Sequence, residues 1–276
     1  VGSNPTLSVL REVALHFSPH PDDELVGAPA TLMALRDAGW RIVNVACGLG
    51  RPEQRERREA ELREACRRAG IELRLPPHQV AISREDDAVA AAHRLVALAE
   101  AEIAELRPKV VLSPSPHDRH RGHELVGRAV RDALRRGPRP APAWWMWGLW
   151  SALPLPTLGV AFDADRLEEV LFALSAHRGE LQRNDYRRLV AGRAMMNASL
   201  GPELLFGFGV ESRLRPAYVE LLTEVALSGD RWLLGSRRWL DAAAPIADPS
   251  ATAVDGWLHA SGVGEVEPPL SPSGSA

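Results

Sequence analysis

The chain is short of cysteine, tyrosine and lysine, and it has no excess charge of one sign. Cys47 and Cys66 are its two cysteines and they form no CxxC pair. Two thiols in 276 residues read as reduced and cytoplasmic. Lys109 is the single lysine. Arginine supplies the remaining positive charge and, with abundant Ala, Gly and Pro, points to a GC-rich coding sequence. The 33 basic residues face 36 acidic ones, for a net charge of −3, so no surface for nucleic acid is expected. No run approaches about 20 consecutive apolar residues, so no membrane span is expected. The N-terminus lacks a basic stretch followed by an apolar one, so no signal peptide is read there. Gly48-Leu49-Gly50 lacks the third glycine of a dinucleotide loop, which weighs against a nucleotide-binding protein.

What the first half does contain is alternation. Val13–Phe17, Arg41–Cys47, Ile71–Leu75 and Lys109–Ser113 read as strands. Between them, Gly27–Trp40, Arg51–Ala69 and Ala88–Leu106 read as helices, and Leu125–Arg135 follows as another. Such alternation predicts an α/β fold: a Rossmann-like, doubly wound, mostly parallel sheet with helices on both faces. The familiar strand order 3-2-1-4 sets the first strand beside the fourth, where the winding reverses and ligands bind beyond the carboxyl ends.

The stretches leaving those two strands carry the chemistry. Ser18-Pro19-His20-Pro21-Asp22-Asp23-Glu24 follows the first strand. One carboxylate there is explained as a helix cap or dipole partner. A cap does not explain His20 or three carboxylates together. His20 and Asp23 can form half a metal site, with Asp22 left free beside it. The fold then demands the other half after the fourth strand, where Pro114-Ser115-Pro116-His117-Asp118-Arg119-His120-Arg121-Gly122-His123-Glu124 stands. His120 and His123 are spaced to share a face of a first helical turn.

These two stretches resemble the PIG-L/LmbE family of zinc-dependent N-deacetylases. The family's HPDDE motif is matched at His20 to Glu24, and its HxDH motif at His120-Arg121-Gly122-His123, with Asp118 upstream. Arg58, Glu61, Ala65 and Gly70 look like its R-x-x-E helix, and Ala173 to Arg178 like its later A-L-x-x-H stretch. The resemblance implies Zn2+ held by His20, Asp23 and His123, Asp22 as general base, and His120 supporting the transition state. It implies an N-acylated amino sugar as substrate. Glu24 would support the loop. Gly122 departs from the family's aspartate, which bears on the protonation of His120 and not on the ligand set.

The second half predicts less. Trp144-Trp145-Met146-Trp147-Gly148-Leu149-Trp150 reads as a core strand, with a substrate role open for Trp145 and Trp147. His177 and Arg58 are further candidates for substrate contact, by family position. Arg183, Arg187, Arg188 and Arg193 read as a solvated face, and Leu167–Arg178, Leu181–Met196 and Tyr218–Leu227 as helices. Arg231–Leu234 with Trp239 and Leu240 would form a lip over the mouth or pack C-terminal helices.

The expected organisation is a metal-binding core at 1–136, a substrate-side extension at 137–244 completing the same domain, and a flexible tail at 245–276. The function so read is removal of an acetyl or other acyl group from an amino sugar, carried on a bulky apolar aglycone such as that of a glycopeptide antibiotic. A mycothiol-type thiol precursor is the alternative substrate. A non-catalytic, metal-bearing sugar- or glycolipid-binding protein is the alternative function, and it would have no need of Asp22. The oligomeric state is left open.

Overall fold

The computed structural model describes residues 11–82, 87–210 and 214–260. Its first half runs β1 (Val13–Ser18), α1 (Asp23–Val26), α2 (Pro29–Asp37), β2 (Arg41–Ala46), α3 (Arg55–Ala69), β3 (Glu72–Arg74), α4 (Ala88–Leu106), β4 (Val110–Pro114) and α5 (Arg121–Arg136). β5 (Ala143–Trp147) completes a parallel set in the order β3-β2-β1-β4-β5. Leu15 of β1 lies beside Val43 on one side and Val111 on the other. The expected reversal of winding between β1 and β4 is therefore present.

Two apolar layers cover the sheet, as a parallel sheet requires. Leu25, Leu32, Leu62, Cys66, Trp145, Trp147, Val170 and Leu174 pack on one face. Leu15, Phe17, Leu95, Ile103, Val126, Val130, Trp144 and Met146 pack on the other. β5 thus sends tryptophans both ways without exposing them: Trp144, Trp145 and Trp147 are all fully buried. Cys47 and Cys66 are buried free thiols. Among the described residues no helix is long and apolar enough to cross a membrane.

The second half continues with β6 (Leu158–Phe162), α6 (Ala164–Leu174), α7 (Arg178–Arg183), α8 (Tyr186–Phe206), β7 (Tyr218–Ser228), β8 (Arg231–Gly235), β9 (Arg238–Trp239), β10 (Pro249–Ala253) and α9 (Asp255–His259). β7 pairs antiparallel with β5, β6 and β8, and β8 with β10, extending the same sheet.

Three expectations change here. The segment read as a helix at Tyr218–Leu227 is β7, because Tyr218, Val219, Thr223 and Val225 suit a strand and β5 offers an edge to pair with. The segment read as one helix at Leu181–Met196 is two, broken at Asn184-Asp185. Asp185 accepts the Arg188 N–H at 3.1 Å and so starts α8, which runs on through Pro202. Residues 249–259 form β10 and α9, where a flexible stretch was expected. Leu258 and Val254 are buried against β8 and its neighbours, which gives this short segment an apolar anchor. The looser end expected from Pro268 lies outside the described residues. Trp232 packs on Trp144 at 5.5 Å between ring centres, and Trp239 on Phe206 at 5.9 Å, so neither forms a lip over the site.

Candidate metal centre and its pocket

The turn after β1 is held in an unusual shape. Asp22 has φ 121°, a region that a residue with a Cβ enters only at a cost of about 1–3 kcal/mol. Its neighbours fix it there. The Asp22 N–H donates to Glu24 Oε2 at 3.1 Å, and the Asp22 carbonyl accepts the N–H groups of Leu25 and Val26 at 2.8 and 3.0 Å. Glu24, fully buried, meets the His177 ring at Oε1 and Nε2, 2.6 Å apart. His177 therefore acts behind the turn and does not line the pocket. Glu24 supports the loop, as the sequence suggested.

A second buried network lies beneath. The Trp147 Nε1–H donates to His16 Nε2 at 3.0 Å, so His16 Nδ1 carries the proton and donates to Asn44 Oδ1 at 2.8 Å. Burial lowers the pKa of His16, in keeping with a neutral ring. Trp147 also packs edge-on to His123, with ring centres 5.3 Å apart. Gly27 permits this packing, since a Cβ there would stand 2.8 Å from the indole. Trp147 is thus the floor under the site. Trp145 points its Nε1–H into Glu224 at 2.9 Å, fully buried. Neither indole lines the pocket, contrary to the expected substrate contacts, because β5 is an interior strand covered on both faces.

His20, Asp23 and His123 meet at the crevice between β1 and β4. Asp23 Oδ2 accepts the His20 N–H at 2.7 Å and stands 3.1 Å from His20 Nδ1. Asp23 Oδ1 stands 3.3 Å from His123 Nε2. Donor atoms about 2.0–2.1 Å from one tetrahedral ion are about 3.3–3.4 Å from each other, and the two contacts of Asp23, made through different oxygens, lie near that spacing. Two imidazoles and a carboxylate suit zinc. His120 adds a further donor: His20, His120 and His123 offer nitrogens all within 4.8 Å of one another.

His123 is fixed from behind. Its Nδ1–H donates to Asp118 Oδ2 at 2.7 Å. Burial opposes a charge on the ring, but Asp23 and Asp118 outweigh it and push the imidazole up to about 10. Burial would likewise raise Asp23, yet His123 and His20 hold its carboxyl well below the usual range. A carboxylate behind a ligating histidine is a common support for a metal site. His117 turns away to the Trp257 carbonyl at 2.8 Å and supports α9 instead.

Gly122 has a steric reason. A Cβ at this position would lie 2.8 Å from His20 Cε1 and 2.9 Å from His20 Nε2. The ring of His20 fills the space that a side chain would need.

The pocket over these groups has a volume of about 220 Å3. Asp22 lines it, and among the described residues nothing hydrogen-bonds to its carboxylate. Burial pushes that carboxyl well up, helped by Asp23, Glu24 and Glu180, with Arg58 opposing. Arg58 is at the wall, donating to Glu180 Oε1 at 2.5 and 2.9 Å. Glu61, one helical turn on, accepts the Gly179 N–H, so the R-x-x-E pair ties α3 to α7. Trp150, the last of the tryptophan run, also lines the pocket, as do three residues that sequence reasoning missed, Glu180, Arg183 and Tyr186. Arg183 donates to Glu180 Oε2 at 3.0 Å and to the Tyr186 hydroxyl at 2.6 Å. No local pattern marks these residues; only the packing of α7 and α8 against the first turn brings them in. Trp150 stacks on His120 with ring centres 5.9 Å apart.

Residues 15–134 match the family described as PIG-L: GlcNAc-PI de-N-acetylase. A probable N-acetyl-alpha-D-glucosaminyl L-malate deacetylase 2 of Bacillus cereus is 34% identical over 145 residues, 47% of this chain and 63% of the relative. The matched region thus spans less than two thirds of that relative's length. Among solved structures, 4-carboxy-2-hydroxymuconate hydratase from Pseudomonas putida has a TM-score of 0.57 at 15% identity, covering 77% of this chain and 95% of the other. The zinc-inhibited form of teicoplanin deacetylase also has a TM-score of 0.57, at 16% identity, covering 79% and 99%. At these identities the likeness is one of fold, and the two proteins named have different chemistries.

Proposed function

We propose, from the match of residues 15–134 to the PIG-L family, that this chain is a metal-dependent hydrolase that removes an acetyl group from an N-acylated amino sugar. The observation that carries the proposal is a division of labour in one small pocket. His20, Asp23 and His123 make a metal donor set, while Asp22 lines the same pocket and takes no part in it. A protein that only bound a sugar would need no such spare carboxylate.

An amide carbon is a poor electrophile, so its hydrolysis needs an activated nucleophile and a stabilised oxyanion. A divalent ion, Zn2+ in our reading, held by His20, Asp23 and His123 would lower the pKa of a water and polarise the acyl carbonyl. Asp22 accepts the proton of the attacking water and then passes it to the leaving amine. Its strained backbone and the Glu24–His177 pair behind it hold the carboxylate at the pocket wall. His120, stacked on Trp150, donates to the oxygen of the acyl group as charge builds there. Asp118 keeps the His123 proton on Nδ1 and leaves Nε2 for the ion. Arg58, Glu180, Arg183 and Tyr186 offer donors and acceptors suited to sugar hydroxyls.

The preferred substrate is an amino sugar on a bulky natural product such as a glycopeptide antibiotic. The support is an apolar surface adjoining the pocket. Two buried free thiols suit a cytoplasmic setting. The test is a panel of N-acetylglucosaminyl compounds, assayed for released primary amine and acetate in equal amounts. Release from none of them would reject the proposal.

A further inference from the structure

A second cavity, of about 310 Å3, lies beside the first. The two share Leu149 and Trp150 as walls. The rest of the second cavity is largely apolar and built on α8. Met196, Leu200 and Leu204 follow one another at steps of four residues, so they stack along one face of the helix. They are 52%, 48% and 39% exposed, which is high for three adjacent large apolar side chains. Leu189 lines the groove further back.

We propose that this groove seats an alkyl or aryl group on the sugar's aglycone side while the amide lies at His20, Asp23 and His123. The inference rests on the deacetylase reading and adds to it a second subsite with its own residues. Continuity with the reaction pocket argues for the occupant. A group in the groove must cross the Leu149–Trp150 rim to join a molecule held in the pocket. None of the three donor residues, nor Asp22, lines the groove. The group assigned to the groove is the one carried by the sugar, and the N-octanoyl compound in the test below separates it from a chain carried by the amide, since His120 stacks on Trp150 at the same rim. The polar wall of Arg58, Glu180 and Arg183 belongs to the sugar, and the apolar wall to what the sugar carries. Binding of this kind, remote from the reacting bond, can appear in kcat as well as KM.

The test uses methyl and octyl N-acetyl-β-D-glucosaminide, and N-octanoylglucosamine, with the metal-loaded full chain and its Leu200→Glu and Met196→Glu variants. Both substituted positions are exposed, so the fold tolerates the change. Wild type is expected to favour the octyl over the methyl glycoside by about tenfold or more in kcat/KM, the worth of burying as few as two methylene groups. Both variants are expected to lose that preference and keep the methyl rate. Equal values for the two glycosides in wild type would overturn the subsite. So would a preference for the N-octanoyl compound that the variants abolish, since that would put the acyl chain in the groove. Calorimetric binding of the octyl glycoside to Asp22→Asn protein, with and without Leu200→Glu, reads the groove independently of turnover. Tight binding lost with Leu200→Glu supports the groove even if no amine is released, in which case the deacetylase reading fails alone. A wild-type dimer that Leu200→Glu dissolves, with no octyl preference, would assign the face to a second copy and overturn the proposal.

Discussion

Asp118 holds His123 with one oxygen and the pocket rim with the other. Its Oδ2 accepts the His123 Nδ1–H at 2.7 Å, and its Oδ1 accepts the N–H groups of Leu149, Trp150 and Ser151 at 2.7, 2.9 and 3.1 Å. A single buried carboxylate thus sets both the His123 ring, the proposed metal donor, and the wall that divides the two cavities. Asp118→Asn is expected to weaken metal affinity by roughly 10–100-fold, the usual cost of losing such a support. It is also expected to raise KM, because the amide can serve the three N–H groups and the imidazole only in part. Chelator-competition titration and steady-state kinetics check the two effects. Loss of one without the other would separate the roles assigned to the two oxygens.

Asp22 carries strain and a crowded carboxylate, and Asp22→Asn removes the charge while keeping a side chain of the same size that tolerates positive φ as aspartate does. The variant is expected to keep its metal, to melt at a higher temperature than wild type, and to lose kcat by about 10²–10⁴. Thermal melts and metal analysis accompany the rate assay. Near-normal turnover would remove Asp22 from the role of base.

Gly122 makes room for the His20 ring, so Gly122→Ala is expected to displace that ring and lower metal affinity. Restoring the family's aspartate with Gly122→Asp is expected to do the same, because its Cβ meets the same ring atoms at 2.8 and 2.9 Å. Titration with Zn2+ against a competing chelator reads this directly. Unchanged affinity in both variants would mean that the ring moves aside at no cost.

Glu180 gives a pH dependence with a definite sign. Burial alone would raise its carboxyl, but Arg58 and Arg183 outweigh burial and hold it below the ordinary value. A carboxylate lowered on folding stabilises the protein above its unfolded pKa of about 4.3, and that stability fades as pH falls through the lower folded value. Glu180→Gln is therefore expected to be less stable than wild type at pH 7, with the two converging in acid. Urea melts over the range check this. A constant gap at every pH would assign the difference to packing.

The first half of the fold and the donors of the site were legible in the sequence for one physical reason. A parallel sheet buries its strands as continuous apolar runs, and the two turns meeting at the reversal of winding each held histidine and carboxylate. That rule led to His20, Asp23 and the histidines after the fourth strand, and the choice of His123 as the third donor came from the resemblance to the PIG-L/LmbE deacetylases. The pocket wall was not legible. Arg183 sits in a helix full of solvated charge, and nothing local separates it from Arg187 and Arg188. Trp145 and Trp147 drew notice by being aromatic, yet an interior strand gives them to the core, while Trp150, just past the strand, reaches the pocket. Tyr218–Leu227 mixes helix formers with strand formers, and the open edge of β5 decides between them.

Hydrolysis of an N-acetyl amino sugar with an ion held by His20, Asp23 and His123 is the proposed reaction. The most direct measurement is amine release by metal-stripped protein as Zn2+ is added stepwise to one equivalent, with His123→Ala alongside. No release is expected from the stripped protein, then a rise that levels off at one ion per chain, with neither ion nor activity in His123→Ala. Full activity in the stripped protein, or an unchanged rise in His123→Ala, would contradict it.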